Sequence, residues 1–233
     1  RCIYVYIQNY ILPQVFHYYG GTLMKTSTKK NLSNVFVLPP EEVPKKWYNL
    51  IADLPEPLPP PMDPKDGPSR LAMLPKIFIG ECLNQEYAKD RWINIPEPIR
   101  ELYMQAGRPR PLIRAKRLEE KLKTPARIYY KTEFYSPTGS HKVNTAVPQA
   151  YFNKVAGTKR LATETGAGQW GSSLALACQL FGLECTVYMV KVSYHQKPYR
   201  RIIMENFGAD VYASPTDRTQ YGRSVLAQTP DTP

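Results

Sequence analysis

From Leu112 onward the apolar positions fall into two alternating rhythms. Leu112, Ala115, Leu118 and Leu122 recur at helical spacing, and Pro125 closes that stretch. Arg127–Lys131 (RIYYK) reads as a strand. The loop EFYSPTGSH then leads into a helix from about Val143 to Val155, with Gly157 as its stop. Arg160–Thr165 is a second strand, Gly166–Gly171 a tight loop, and Ser172–Phe181 a helix ended by Gly182. Glu184–Val190 is a third strand. Gln196–Phe207 follows as a helix with Pro198 near its first turn and Gly208 past its end. Asp210–Ala213 and Asp217–Gln228 complete the series as a short strand and a last helix. Strands alternating with helices of about 10–15 residues predict βαβ units and a parallel sheet covered by helices. The expected class is α/β.

Before residue 112 the pattern is different. Ten prolines fall between Pro39 and Pro68, out of 23 in the chain. That density excludes helix or central strand and predicts an extended, polyproline-like arm laid on a surface, with Trp47, Tyr48, Leu50 and Leu54 as its pins. A floppy linker is the alternative, but linkers seldom carry such apolar anchors. Residues 1–23 are rich in tyrosine and isoleucine. Gln8, Asn9, Pro13 and Gln14 interrupt any apolar run long enough to span a membrane. Met24 looks like a natural start, so 1–23 is expected to be translated upstream sequence or a leader. The expected organisation is that leader, a proline-rich arm with its leading helices over 24–111, an α/β domain over 112–183, and an incomplete mobile subdomain over 184–233.

Composition adds constraints. Among 233 residues, 42% are hydrophobic and 22% charged, the mix of a folded chain rather than a disordered or fibrous one. Lys and Arg total 31 against 20 Asp and Glu, a formal net charge of +11, but the basic residues are scattered and form no long run. They read as solvated surface, with neither a nucleic-acid nor a membrane partner expected. Cys2, Cys82, Cys178 and Cys185 form no C-x-x-C pair. No metal site or disulfide framework is expected, and a reducing cytoplasm is the simpler home.

Two loops carry candidate chemistry. In Ser136–Lys142 (SPTGSHK) a hydroxyl-rich turn precedes a helix, so its backbone N–H groups can face an anion. Lys142 sits at that helix's first turn, where the helix dipole disfavours the ammonium form, a condition suited to a nucleophilic amine. An ordinary surface lysine is the alternative. In Glu164–Gly171 (ETGAGQWG) the pattern G-x-G-x-x-G follows a strand and opens a helix, as in dinucleotide sites. The acid such a site places about 20 residues on is missing, and Val190, Lys191 and Val192 stand near there instead. The same loop suits a small carboxylate, with Glu164 beside it for proton transfer. An amine, a carboxylate clamp and an acid are the parts needed for amino-acid chemistry on pyridoxal phosphate.

These residues resemble a known family. SPTGSHKVN at 136–144 and ETGAGQWG at 164–171 are similar to the tryptophan synthase beta-chain family, in particular its second, often stand-alone branch. LPEPLPPP at 54–61, GRPRPLIRAKRLEEKLKTPARIYYK at 107–131, VSYHQKPYRR at 192–201 and ENFGADV at 205–211 agree, so the resemblance runs from about Val43 to the end. It implies fold-type II architecture, with two α/β domains and pyridoxal 5'-phosphate between them. It implies that Lys142 carries the cofactor and moves the Cα proton, and that His141 lies near the cofactor phosphate. Glu164 would assist loss of the serine hydroxyl and take a proton as indole adds. Thr165, Gly166, Ala167, Gly168 and Gln169 would hold the substrate carboxylate. The implied reaction joins L-serine and indole to give L-tryptophan and water. The resemblance implies a homodimer for the whole protein and leaves open whether an alpha subunit binds or indole is captured free.

The chain departs from the family pattern in three places. Residues 1–23 have no counterpart, Arg110 stands in GRPRPL where threonine or serine is usual, and Pro148 lies inside the helix after Lys142. The family's glycine- and serine-rich phosphate cup has no counterpart after Gly171, so the expectation is an amino-terminal half, truncated before most of the second domain and inactive alone. The alternatives are another fold-type II enzyme such as a serine or threonine dehydratase, a nicotinamide oxidoreductase resting on GAGQWG, and a non-catalytic truncated subunit.

Overall fold

The computed structural model describes residues 34–59, 62, 63, 65, 67–230 and 232. The leader at 1–23 and Cys2 lie outside them. The described chain opens with β1 (Val35–Phe36), a 3-10 turn at Pro40–Glu42, β2 (Lys46–Tyr48) and a second 3-10 turn at Leu50–Asp53. There follow α1 (Arg70–Ile77), α2 (Gly80–Glu86), β3 (Trp92–Asn94), α3 (Glu97–Gln105), β4 (Leu112–Arg114), α4 (Lys116–Leu122) and β5 (Tyr129–Lys131). The second half comprises α5 (Val143–Val155), β6 (Arg160–Thr165), α6 (Gln169–Phe181), β7 (Glu184–Val190), α7 (Lys191–Gln196), α8 (Pro198–Asn206), β8 (Ala209–Ser214) and α9 (Gln220–Gln228). Among the described residues no helix is long and apolar enough to cross a membrane.

The alternation seen from residue 160 onward builds a parallel sheet in the order β6–β7–β8. Its registers put Leu161, Thr163 and Thr165 on the same face as Cys185, Val187 and Met189 and as Ala209 and Val211. That face is buried against α6 and α8. Helix α6 is buried continuously from Gly171 to Cys178, because α5, α8 and the sheet enclose it. Val143, Ala146, Val147 and Ala150 form the stripe by which α5 joins the same core. Gly182 ends α6 in the left-handed conformation expected of a C-terminal glycine, at φ 64°.

Four expectations are corrected. The helix expected from Leu112 begins only at Lys116, because Leu112–Arg114 is captured as a strand between β1 and β5. The strand at 127–131 belongs to that antiparallel sheet and not to the parallel one. Helix α6 starts at Gln169, three residues before the expected Ser172, because Gly168 at φ 92° turns the chain directly into it. The helix expected at 196–207 starts two residues later, at Pro198, as α8, and a further short helix that the pattern did not show, α7, precedes it across Lys197.

The arm is less uniform than a polyproline segment. Lys46–Tyr48 pairs with Trp92–Asn94, more than forty residues downstream. Trp47 packs against the core, and Leu50 and Leu54 are half-buried. Tyr48 stays half in solvent, stacking on Trp92 and donating to Asp53.

Pro148 sits inside α5 without breaking it. A proline there removes the amide that would donate to the carbonyl four residues back, that of Asn144. The Tyr103 hydroxyl, arriving from α3, donates to that carbonyl at 2.7 Å and replaces the missing bond.

Candidate active site

The SPTGSHK loop is shaped by its own hydroxyls. Ser136 Oγ accepts the Ser140 amide and donates to the Ser140 carbonyl, both at 2.8 Å, and the Gly139 amide returns to the Ser136 carbonyl at 2.9 Å. Gly139 adopts φ 64°, the left-handed region this tight return requires. Ser136, Thr138 and Ser140 are thereby buried, while Pro137 and Gly139 face outward. Lys142 is the N-cap residue of α5, half-buried like His141 beside it. The position at the helix start expected from the sequence is therefore the one found.

The ETGAGQWG loop turns from β6 into α6. Thr165 Oγ1 accepts the Gly171 amide at 3.2 Å, and Ser172 Oγ donates to the Gly168 carbonyl at 2.8 Å. The Trp170 indole donates to Thr163 Oγ1 at 2.8 Å and pins the helix start to the strand. The three glycines do different work. Nothing lies within 4 Å of a Cβ built on Gly166, so a ligand can approach its backbone. Gly168 combines φ 92° with the Arg200 side chain, whose Cβ would lie 2.9 Å from an added Cβ. At Gly171 an added Cβ would lie 2.6 Å from Met204 Sδ and 2.8 Å from Val187, so glycine there lets α6 seat on the sheet. The Gln169 and Trp170 amides precede the first bond of the helix, Ser172 to the Gly168 carbonyl, and are the donors of a candidate anion site.

The two loops meet. Thr138 Oγ1 lies 3.2 Å from Ser173 Oγ in the first turns of α6. Arg200 of α8 donates to the Thr138 carbonyl at 2.9 Å while its Cβ packs on Gly168, so one side chain touches both loops. Lys142 and the 165–169 turn are thus held by neighbouring helix starts. Glu164 is exposed at the end of β6, and strand alternation sets it on the opposite sheet face from Thr165, beside its register partner Tyr188. Among the described residues no hydrogen bond or ion pair joins Lys142 to Glu164. Gly166, Ala167 and Gln169 are exposed around the loop mouth, and Thr165 and Gly168 are buried beneath it.

A polar cluster that sequence reasoning did not find lies under α5. Arg110, the departure noted above, is one of the most deeply buried side chains, 1% exposed. Its guanidinium donates to Glu133 at 2.7 Å, to the Ala106 carbonyl at 2.6 Å and to Asn144 Oδ1 at 3.3 Å. Burial lowers its affinity for its proton and the Glu133 carboxylate raises it again. Glu133 also accepts from Asn144 Nδ2 at 3.0 Å. Burial weakens the proton affinity of neighbouring Lys131 too, whose amine donates to the Arg110 carbonyl. The sequence signal was an arginine in an otherwise apolar, proline-rich turn, which local patterns cannot pair with a glutamate 23 residues away. Arg200 was visible only as part of VSYHQKPYRR.

The donor set suits pyridoxal phosphate. It offers an amine at a helix start, a turn of small residues whose glycines leave open space at positions 139 and 166, and a second helix start alongside. These features define an α/β fold in which two neighbouring helix starts can receive an anionic cofactor. The chain belongs to the pyridoxal-phosphate dependent enzyme family, whose model matches residues 103–232. Among curated proteins it is 53% identical over 202 residues to the tryptophan synthase beta chain 2 of Methanothermobacter thermautotrophicus, covering 87% of this chain and 47% of that one. It is 56% identical to the tryptophan synthase beta chain 1 of Sulfurisphaera tokodaii, over 82% of this chain and 46% of that protein. The corresponding values for the tryptophan synthase beta chain 2 of Thermococcus kodakarensis are 54%, 84% and 45%. The chain therefore spans about half the length of the curated relatives it matches. The crystal structure of a pyridoxal 5'-phosphate-dependent aspartate racemase aligns with 58% of this chain and 45% of its own, at 21% identity and a TM-score of 0.43.

Proposed function

We propose that this chain is the lysine-bearing part of a tryptophan synthase beta chain, which joins L-serine and indole to form L-tryptophan and water. The observation that carries the reading is the Thr138–Ser173 contact. It sets the lysine loop against the helix that begins at the carboxylate loop, in a chain whose relatives are named tryptophan synthase beta chains.

Lys142 and His141 are the residues that would hold the cofactor, through the lysine amine and beside the phosphate. Pyridoxal phosphate, when bound, supplies an electron sink for the carbon that loses its proton. The protein's own groups do the rest. Thr165, Gly166, Ala167, Gly168 and Gln169 receive the substrate carboxylate, because an anion at the start of α6 gains both amide hydrogen bonds and the helix dipole. Lys142 takes the Cα proton. Glu164 hands a proton to the departing hydroxyl and accepts one from indole as the new bond forms. The whole protein is a homodimer in the reducing cytoplasm.

The test is to incubate the protein with pyridoxal phosphate, reduce with borohydride and map the modified peptide. Reduction fixes the cofactor on Lys142, and Lys142→Ala abolishes the adduct. In the whole protein with serine and indole added, tryptophan is read by chromatography, and Glu164→Gln lowers its rate by about 10²–10⁴. An adduct at another lysine overturns the assignment. Because the chain spans about half of its relatives, the same assay on this chain alone reads how far these residues suffice. An adduct at Lys142 without tryptophan places cofactor capture here and turnover with residues beyond this chain.

A further inference from the structure

We propose that Asn144 is the positioning residue of Lys142, and that Tyr103, Arg110 and Glu133 form a clasp that fixes it. The proposal rests on the reading of Lys142 as the cofactor lysine. Every polar group of Asn144 is engaged. Its amide donates to the His141 carbonyl at 2.9 Å. Its own carbonyl, deprived of a helical donor by Pro148, receives the Tyr103 hydroxyl at 2.7 Å. Its Nδ2 donates to Glu133 Oε2 at 3.0 Å, and its Oδ1 accepts from Arg110 Nη1 at 3.3 Å. The side chain can therefore neither flip nor swing without breaking two bonds.

The placement of these bonds matters as much as their number. Glu133 precedes the SPTGSHK loop and Asn144 follows Lys142 by two residues, so the Glu133–Asn144 bond closes the loop at its base, across eleven positions. Arg110 braces both partners and is itself anchored to the end of α3 through the Ala106 carbonyl. Tyr103 stands on the same α3, with the Arg108 guanidinium 4.3 Å from its ring centre. A buried ion pair contributes little stability once desolvation is counted, and apolar residues could fill the space as well. What this cluster supplies is one fixed geometry at the start of the helix that carries Lys142.

The experiment measures two things on the same variants: hydrogen exchange of the amides from 136 to 146, and the rate at which borohydride-trapped pyridoxal phosphate appears on Lys142. Exposed Lys76 serves as internal control. Glu133→Ala is expected to speed exchange across the loop and to slow capture at Lys142 roughly tenfold or more relative to Lys76. Glu133→Gln, which keeps an acceptor for Asn144, retains most of the rate. Tyr103→Phe slows capture too, and adding Pro148→Ala restores it, because an alanine amide replaces the lost hydroxyl at the Asn144 carbonyl. This last pair decides the matter even if Glu133→Ala fails to fold. Unchanged exchange overturns the clasp, and faster exchange with unchanged capture reduces it to a structural feature. Failure of Pro148→Ala to rescue overturns the role of the Asn144 carbonyl. If the unaltered protein captures nothing at Lys142, the functional reading falls and the proposal with it, whereas the exchange data still report on the loop.

Discussion

At residue resolution the site is a matter of which atoms are absent. Gly171 lacks the methyl that would strike Met204, Val187 and Thr165, and this lets the first turn of α6 lie flat on the sheet. Gly171→Ala should cost about 1–3 kcal/mol, as overpacking does in a closed core. The loss would appear as a lower urea midpoint with an unchanged slope. Gly166, with open space around it, serves a different need in the same motif. The spacing of the glycines was plain in the sequence. Their separate duties were not, because each depends on a neighbour from another element. Pro148 gives the same lesson in reverse. It reads as a defect in the helix until Tyr103 is seen to supply the missing donor.

Among elements, α4 shows how one side chain fastens three segments. The Glu119 carboxylate accepts from Arg114 Nε and Nη2 at the end of β4, and from the Ile128 amide at 2.7 Å ahead of β5. Arg114 holds the Glu119 carboxyl below its ordinary value of 4.5, with the backbone bond helping. A lowered carboxyl contributes stability that is present above pH 4.5 and lost as pH falls through the lower, folded value. Acid unfolding of the Glu119→Gln variant should therefore start from a lower stability and fall less steeply below pH 4.5, as read by urea denaturation at stepped pH. The same strand, β4, is where helical spacing misled. Leu112 and Ala115 fit a helix by pattern, yet pairing with β1 and β5 outweighs local preference over three residues.

For the whole molecule, the family assignment separates two readings of one motif. G-x-G-x-x-G opens α6 as it would in a dinucleotide site, but Lys191 and the start of α7 follow β7, with no acid at the strand end. Titration with reduced nicotinamide dinucleotide should leave the tryptophan fluorescence unchanged. Pyridoxal phosphate should quench it, since Trp170 sits in the first turn of α6 beside the loop. The reverse outcome would return the motif to its dinucleotide reading.

The sequence alone determined the alternation of β6, α6, β7, α8 and β8, the bounds of α5, and the two loops with Lys142 and Glu164 in them. These are local properties, set by periodicity, glycine and proline within a few residues of one another. Tertiary structure decided what those properties are used for. It drew Leu112–Arg114 into a sheet, seated Thr138 against Ser173, turned Arg200 toward both loops, and buried Arg110 with Glu133 beneath Asn144. Such choices join residues from 15 positions apart, as Arg114 and Tyr129, to 62, as Thr138 and Arg200, and no local rule reaches that far. They are favoured because most buried polar groups must find a partner once the apolar faces have closed.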